Sequence, residues 1–380
     1  MRILLLGNRS SVFTSHFMEE LGKRGITAHL FDPYMNTLFD HELKDIKKFK
    51  VLPPVLDRIP KLGYAIKLIM FKRVFRKFFN CYDICHIHYN YKLYSDVSRT
   101  IRKISPKLIV SIYGSDFLRR TASQKKHQEK IYREADLITF LTEQTMQNFI
   151  GFYGEKFRSN TRVLRLGLRV LDVMDDISEE TKSESRKSLM IDPDSLVVTC
   201  GYNATPEQNH LEVIQSLLDV RDKIPAKVLF IFPMTYGDKI YREEIQRDLK
   251  DSDLNYLIID RFLEDVDVAR LRKSSDVLIN VLQTDHLSGS LLEHLYARNI
   301  VLCGSWLPYD LLEERGVFFF KVDKPEDVGK KIVEIMAQRN NLYLMTENNP
   351  QLVSDLSRWD INMKHWIQAY EHLKKQNTQT

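Results

Sequence analysis

Cysteine is scarce and scattered: four residues in 380, at Cys81, Cys85, Cys200 and Cys303. Only the first two are close, and no second pair completes the four-ligand spacing of a zinc site. On a strand, alternation sends Cys85 to one face and His86 and His88 to the other, so no Cys-His metal cluster is expected there. The same scarcity suits a reducing compartment. Long apolar runs are missing too: no window holds the roughly 18 uncharged apolar residues of a membrane span. The opening MRILLLGN is too short for a secretion signal and lacks a cleavage pattern. The expected location is therefore cytoplasmic, in solution or peripheral at the inner face of a membrane. Finger spacings, an aromatic RNA-binding signature and a helix-turn-helix pattern are also lacking, which argues against nucleic acid as a partner.

What is present is an ordinary globular mixture, long enough for two medium domains. Its charge is unevenly spread. Residues 1–169 carry 31 Lys and Arg against 15 Asp and Glu, and the remainder carries 25 against 36. The basic half suits an anionic surface or a phosphorylated substrate.

Short apolar runs alternate with amphipathic stretches, the rhythm of parallel, doubly wound sheets. Arg2–Leu6, Thr27–Phe31, Ile84–Ile87, Leu108–Ile112, Leu137–Leu141 and Arg162–Leu166 read as strands of a first α/β domain, residues 1–170. Asp172–Lys187 is dominated by charge, Ser and Thr, so residues 171–190 read as a linker. A second Rossmann-like domain, 191–354, has strands at Leu196–Cys200, Lys227–Phe232, Leu254–Ile259, Val277–Val281, Ile300–Cys303 and Val317–Phe320. Residues 355–380 begin with an amphipathic helix, Asp355–Leu373, expected to pack back on the first domain. Two such domains are expected to face a cleft, with ligands at the carboxyl ends of the strands.

Four segments carry candidate chemistry. Gln283–Glu293 follows an apolar strand and opens a helix. Ser288, Gly289, Ser290 and Leu291 present backbone N–H groups that, with the helix dipole, favour a phosphate. Glu293, about one turn in, can accept hydrogen bonds from paired hydroxyls such as those of a ribose. Equally, Ser288 is a ready N-cap and Glu293 an ordinary first-turn acid. Cys200–His210 leaves a buried strand at the same sheet edge; its polar residues Asn203, Asn209 and His210 can reach a diphosphate, or Asn209 can simply cap the next helix. In the first half, the turn Tyr113-Gly114-Ser115-Asp116 ends a strand with an acid, either reactive or capping. His88 can move a proton or hold a phosphate, or be a structural strand-end histidine.

Together these segments resemble glycosyltransferase family 4, a bacterial surface-polysaccharide type with the GT-B fold. MRILLLGN, with Asn8, is similar to the family's first strand and loop. YDICHIHYN resembles its Asp-hydrophobic-His-x-His strand, VSIYGSDF its HGSD turn with Tyr113 in place of the histidine, and FLTEQT its following segment. Asp285 to Glu293 resembles the acid-x7-acid signature, and SLLEHLYARNIVLCGSWLPY its LLEAMACGxPVI helix and strand.

The resemblance implies a retaining glycosyltransferase with a nucleotide-sugar donor and no cofactor or metal. Glu293 would hold the ribose, Ser288 to Leu291 the diphosphate, and Asp285 the donor-sugar hydroxyls, with Asp116 and His88 as further catalytic candidates. Asn8, Tyr113, Gly114 and Ser115 would lie on the acceptor side. The family's Arg and Lys of the second-domain loop are replaced here by Tyr202 or Asn203 and by Gln208. Arg261 is the candidate substitute, and the Asn203…Asn209-His210 pattern is similar to related bacterial lipid-linked sugar transferases. The missing pair also motivates a second hypothesis, a catalytically silent GT-B subunit that partners another glycosyltransferase. Replacing Glu293 with alanine is expected to weaken nucleotide binding with little loss of fold.

Residues 61–79, KLGYAIKLIMFKRVFRKFF, carry six positive charges and no negative one. On a helix, Tyr64, Leu68, Met70, Phe71, Val74, Phe75 and Phe78 share one face. Lys61, Lys72, Arg73, Arg76 and Lys77 lie largely on the other. This is the pattern of an interfacial helix on anionic lipid, or of a basic surface helix packed on its own domain. The lipid reading points to a lipid-linked or glycan acceptor in cell-surface polysaccharide synthesis.

Overall fold

A computed structural model describes residues 1–49 and 60–375 of the chain, with the side chains of 60–62 outside the described set. Lys61 of the basic stretch therefore lies outside the described side chains, as do residues 376–380 of the tail. The chain forms two compact units: Met1–Leu166 with Trp359–Thr380, and Gly167–Arg358.

The first unit holds strands β1 (Arg2–Leu6), β2 (Thr27–Asp32), β3 (Thr37–Phe39), β4 (Asp45–Lys48), β5 (Ile84–His88), β6 (Lys107–Ser111), β7 (Leu137–Phe140) and β8 (Thr161–Val163). They form one sheet in the order β4-β3-β2-β1-β5-β6-β7-β8. Pairing is parallel from β2 through β8. The antiparallel pair β3 and β4 extends one edge. These two strands escape a reading of the sequence because β3 has three residues and β4 is a fully exposed edge, DIKK, with a single apolar residue.

Both faces of the sheet are covered, so the strands read as continuous apolar runs. Leu4, Leu6, Cys85 and Ile87 face one core layer. Ile3, Leu5 and Ile84 face the other, with Phe17, Trp359, Met363 and Trp366. His86 and His88 share this second layer, where Phe17 lies 5.7 and 4.7 Å from their ring centres. The alternation expected for Cys85 and the two histidines is what the strand shows.

The helix Pro60–Arg76 spends its apolar face on this domain. Phe71, Val74 and Phe75, with Phe78 just beyond, are buried in the core. Phe31 meets Phe71, Phe75 and Phe78 edge-on at 6.4, 5.6 and 5.7 Å. An aromatic face already packed against a sheet is not available to enter lipid. What remains outside is the basic side, Lys72, Arg73, Arg76 and Lys77.

Residues 171–190 are not a linker. They belong to the second unit as parts of two helices, Arg169–Asp176 and Lys182–Ser188. Charge dominates the stretch because most of it faces solvent, yet Leu171 and Met174 are buried. Thr181 and Glu184 form a reciprocal capping box. Arg186 is buried and held by Asp276 at 2.7 Å and by the carbonyls of Ser274 and Pro193 at 3.0 and 2.7 Å.

The second unit holds β9 (Leu196–Cys200), β10 (Val228–Pro233), β11 (Tyr256–Ile259), β12 (Val277–Asn280), β13 (Ile300–Gly304) and β14 (Phe320–Val322), in the order β11-β10-β9-β12-β13-β14. All neighbours are parallel. The strand order reverses between β9 and β12, the crevice position for ligands in a doubly wound sheet. The last strand starts three residues later than the apolar run Val317–Phe320. The Asn349 side chain takes both backbone groups of Phe318, at 2.8 and 2.9 Å, and so removes that residue from the ladder.

The expected helix Asp355–Leu373 is two helices, Asn349–Ser357 and Trp359–Lys375, broken at Arg358. Arg358 is extended, with ψ of 138°. Its guanidinium bonds Asp172 at 2.6 Å, Tyr296 at 2.5 Å and also Asp175. The chain leaves the second unit there and rejoins the first, where Trp366 and Tyr370 are fully buried.

Candidate functional site

In the second unit, the loops after β9 and β12 emerge side by side at the strand-order reversal. Gly201 turns the first loop away with φ of +63°, and a Cβ there would come within 2.6 Å of Gln208 and 2.8 Å of His210. Asn209 sits in the left-handed region at φ 55° and makes no side-chain cap for the helix it precedes. Its amide instead ties the two loops, Nδ2 donating to Val281 O at 2.7 Å while Oδ1 accepts from Gln283 at 3.2 Å. The Gln283 backbone N–H adds a bond to Glu207 O at 2.8 Å. Asn203 Oδ1 accepts from Thr205 N–H at 3.1 Å, which shapes its own turn. His210 is buried, and that burial lowers its pKa to about 4. It is a neutral ring against Cys200 O, 3.3 Å away.

The helix Gly289–Tyr296 begins at this edge. Ser288 caps it, Oγ accepting from Leu291 N–H at 3.4 Å. The Leu291 amide is thus partly engaged, and Gly289 and Ser290 supply the N–H groups a helix start leaves open. Ser290 Oγ is buried with no hydrogen-bond partner among the described residues.

Glu293 is neither solvated nor simply a first-turn acid. It is buried, and Arg272 clamps Oε2 with Nε and Nη2, both at 3.0 Å. Burial raises its pKa, opposed by the Arg272 charge. Oε1 lies on the Gly289 side, 3.9 Å from where a Cβ on that glycine would stand. Arg272 is itself braced by His294, 3.1 Å from Nη1, and His294 by Asn299 at 2.7 Å. No sequence pattern marks Arg272 as a site residue, because it comes from another helix, Asp265–Ser274. The ion pair also corrects the expectation for alanine at 293. That change would strand a buried guanidinium and cost about 3–5 kcal/mol.

Asp285 accepts from the Tyr309 hydroxyl, which in turn accepts from Asn280 Nδ2 at 3.0 Å. This buried Tyr309 is a second residue that the sequence did not single out. Arg261 stands apart. It follows β11, two strands from β9, and its Nη1 is paired with Asp267 at 2.8 Å. Its charge is neutralised locally, so it is not a ready substitute for the missing cations of the Cys200–His210 loop.

In the first unit, the ends of β1, β5 and β6 bring Asn8, His88 and the Tyr113–Asp116 turn to one edge. Asn8 Oδ1 accepts from Ser10 N–H at 2.8 Å. Gly7 lets the chain pass His88, since a Cβ would lie 3.2 Å from the His88 Cβ. His88 Nδ1 bonds the Tyr113 hydroxyl at 2.7 Å. Burial lowers the His88 pKa to about 3, which leaves it a weak base and a poor proton carrier at neutral pH.

Asp116 is fully buried. Oδ1 accepts from Tyr113 and Gly114 N–H, and Oδ2 from Asn90 N–H, all at 3.0 Å. Burial raises its pKa to about 6 against the pull of those donors. It ties two loops together, with both oxygens engaged by backbone N–H groups. The catalytic assignment of Asp116 and His88 does not fit these surroundings; both hold the edge that displays Tyr113 and Ser115.

Among the described residues, no helix is long and apolar enough to cross a membrane. No group of three or more His, Cys, Asp and Glu side chains that could hold a metal ion is found among them.

Residues 2–142 match a family model described as glycosyl transferase 4-like. No curated protein sequence matches the chain. Solved structures match over nearly its whole length. Anabaena Alr3699/HepE, solved with UDP and glucose, has a TM-score of 0.71 at 15% identity, covering 98% of this chain and 100% of that one. The sucrose-phosphate synthase of Thermosynechococcus elongatus has a TM-score of 0.75 at 13% identity, covering 98% and 99%. An α,α-trehalose-phosphate synthase (UDP-forming) of Burkholderia vietnamiensis has a TM-score of 0.72 at 10% identity, covering 98% and 99%. The chain has the two-domain GT-B fold, and residues 2–142 of it are similar to the glycosyl transferase 4-like family.

Proposed function

We propose that this protein is a retaining glycosyltransferase that takes a sugar from a nucleotide-diphosphate donor held by the second domain. The acceptor is a glycan or lipid-linked molecule carried by the first. The observation that carries this reading is Glu293. Its Oε2 is fixed by Arg272 while Oε1 is turned to the helix start. That places a hydroxyl acceptor beside open N–H groups, the pairing a ribose and its diphosphate need. Asp285, oriented by Tyr309, is the candidate for the donor-sugar hydroxyls. The amides stabilise the diphosphate as it leaves, an electrostatic contribution that needs no metal. Neighbours of the same fold solved with UDP and with UDP-glucose support a uridine nucleotide as the first donor to try. The exposed Lys72, Arg73, Arg76 and Lys77 would keep the protein at the inner face of an anionic membrane, by charge alone. Surface-polysaccharide assembly is the setting this suits.

Calorimetry against UDP-, GDP-, dTDP- and CDP-sugars tests the donor site. Selective binding that weakens in Glu293→Gln supports it, and no binding to any of the four sinks it. A second reading has one observation in its favour: the Cys200–His210 loop carries no cation, and His210 is neutral. On that reading the chain is a silent GT-B subunit that serves another transferase. Sugar transfer or donor hydrolysis by the pure protein would exclude it.

A further inference from the structure

Beside the Ser115 turn, at the same edge of the first-unit sheet, stands a group of side chains rich in hydrogen-bond donors: one guanidinium and several tyrosine hydroxyls. Tyr89 follows β5 directly and is held at φ of +70°, a region bulky residues rarely occupy. Such strain persists where the surroundings demand a particular side-chain direction. The Tyr89 oxygen accepts from Ser115 Oγ at 3.2 Å and from Arg120 Nη2 at 3.5 Å. Its own hydroxyl proton is left to donate. Tyr91 packs on Tyr89 at 4.8 Å and on Tyr34 at 5.3 Å. Tyr34, packed on Tyr91, brings a further hydroxyl that can donate. Tyr34 is 66% exposed and feels the Arg120 charge.

Arg120 is the centre of the group. It is partly buried, and its Nε has no hydrogen-bond partner among the described residues. No carboxylate among them pairs with it. The two acids nearby are already committed to backbone donors. Asp32 accepts from the N–H groups of Arg9, Tyr34 and Met35, and Asp116 from those of Asn90, Tyr113 and Gly114. A partly desolvated guanidinium whose Nε lacks a partner among the described residues, and whose Nη2 has only a long 3.5 Å bond to the Tyr89 oxygen, is costly unless an anion completes it. Three separate donors suit the three oxygens of a phosphate better than the two of a carboxylate.

We propose that Arg120, Tyr89 and Tyr34 form a phosphate-binding subsite for the acceptor, so that the acceptor is a phosphorylated sugar or an isoprenoid phosphate. The inference rests on the transferase reading above, and it accounts for part of the positive excess of the first domain.

The test is calorimetry on the full chain with glucose 6-phosphate, farnesyl diphosphate, glucose and glucuronate as probes, and UDP-glucose as a control for the other domain. One phosphorylated probe should bind and the two unphosphorylated sugars should not. Which of the two binds separates a soluble from a lipid-linked source. Arg120→Gln should weaken that probe about tenfold or more, Tyr89→Phe less, and Arg120→Lys less than glutamine. UDP-glucose affinity should be the same in all of them, which also shows that each variant is folded. No binding of either phosphorylated probe by the wild type, equal binding by Arg120→Gln, or equal binding of glucuronate each overturns the subsite. Loss of UDP-glucose binding in the wild type instead overturns a uridine donor, while binding of the phosphorylated probes still stands on its own.

Discussion

Arg272 and Glu293 form a buried ion pair in which both nitrogens of one guanidinium edge lie 3.0 Å from a single carboxylate oxygen. The second oxygen is left on the side of the helix start. The pair therefore does two things at once: the Arg272 charge opposes the burial that raises the acid's pKa, and the contact aims the carboxylate.

Removing Arg272 should expose both roles. Burial raises the Glu293 pKa and the Arg272 charge lowers it. In Arg272→Met the opposing charge is gone, so the carboxyl pKa rises further and the protonated form gains at neutral pH. Nucleotide affinity should fall at pH 7 and recover as pH rises, measured by calorimetry across pH 6 to 9. A loss that does not change with pH would show that Arg272 contributes packing only. Stability should fall by about 3–5 kcal/mol, the cost of breaking a buried pair.

The buried histidines make the fold acid-sensitive. His88 and His210 have pKa values lowered to about 3 and about 4 by burial, and His86 and His294 are also lowered. Each is neutral when folded and gains a proton on unfolding below about pH 6.5. Their contribution is complete above that pH and is lost as pH falls towards the folded values, by about 2 kcal/mol at pH 5 for each of His88 and His210. Urea titrations at pH 7.5 and 5.0 should show the difference, and His88→Gln should reduce it. An unchanged midpoint at pH 5 would contradict the buried, neutral rings.

Asp116 acts with the opposite sign. Its folded pKa of about 6 lies above the ordinary value of 3.8. Its stabilising contribution is therefore present below about pH 4 and lost as pH rises through 6. Asp116→Asn should flatten that part of the profile. Asp116→Ala should cost about 3 kcal/mol or more by orphaning three buried N–H groups. Transfer activity in the asparagine variant should stay within about tenfold of wild type; a loss of a thousandfold, beyond what a tie between loops explains, would restore Asp116 as a catalytic acid or base.

Gln208 is buried beside Gly201, with neither amide atom bonded among the described residues. It stands near the position where the related family carries a lysine. Nucleotide-diphosphate binding should therefore be only weakly salt-dependent in the wild type. Gln208→Lys should tighten it and make it fall with added salt, as charge pairing does. Calorimetry at 50 and 300 mM salt decides. Steep salt dependence in the wild type would mean that a cation from elsewhere reaches the diphosphate.

The alternation of short apolar runs and amphipathic stretches determined the two doubly wound domains, because a strand buried on both faces must be apolar throughout. β1 and β9 lie where their runs lie. The helix start at Ser288–Ser290 was legible for the same reason: small residues after a buried strand announce a turn and a cap. Sequence by itself could not choose between alternatives that differ only in what a side chain meets. The aromatic face of Pro60–Arg76 could have faced lipid and instead packs on Phe31. The charged stretch 171–190 looked like a linker until Arg186 met Asp276, 90 positions away. Asp116 and His88 have the residue types of catalysts, but burial and committed hydrogen bonds make them supports. Arg272 and Arg120 carry no local signal at all. A pairing between distant segments has no period and no spacing, so only the tertiary structure could bring one beside Glu293 and the other beside Tyr89.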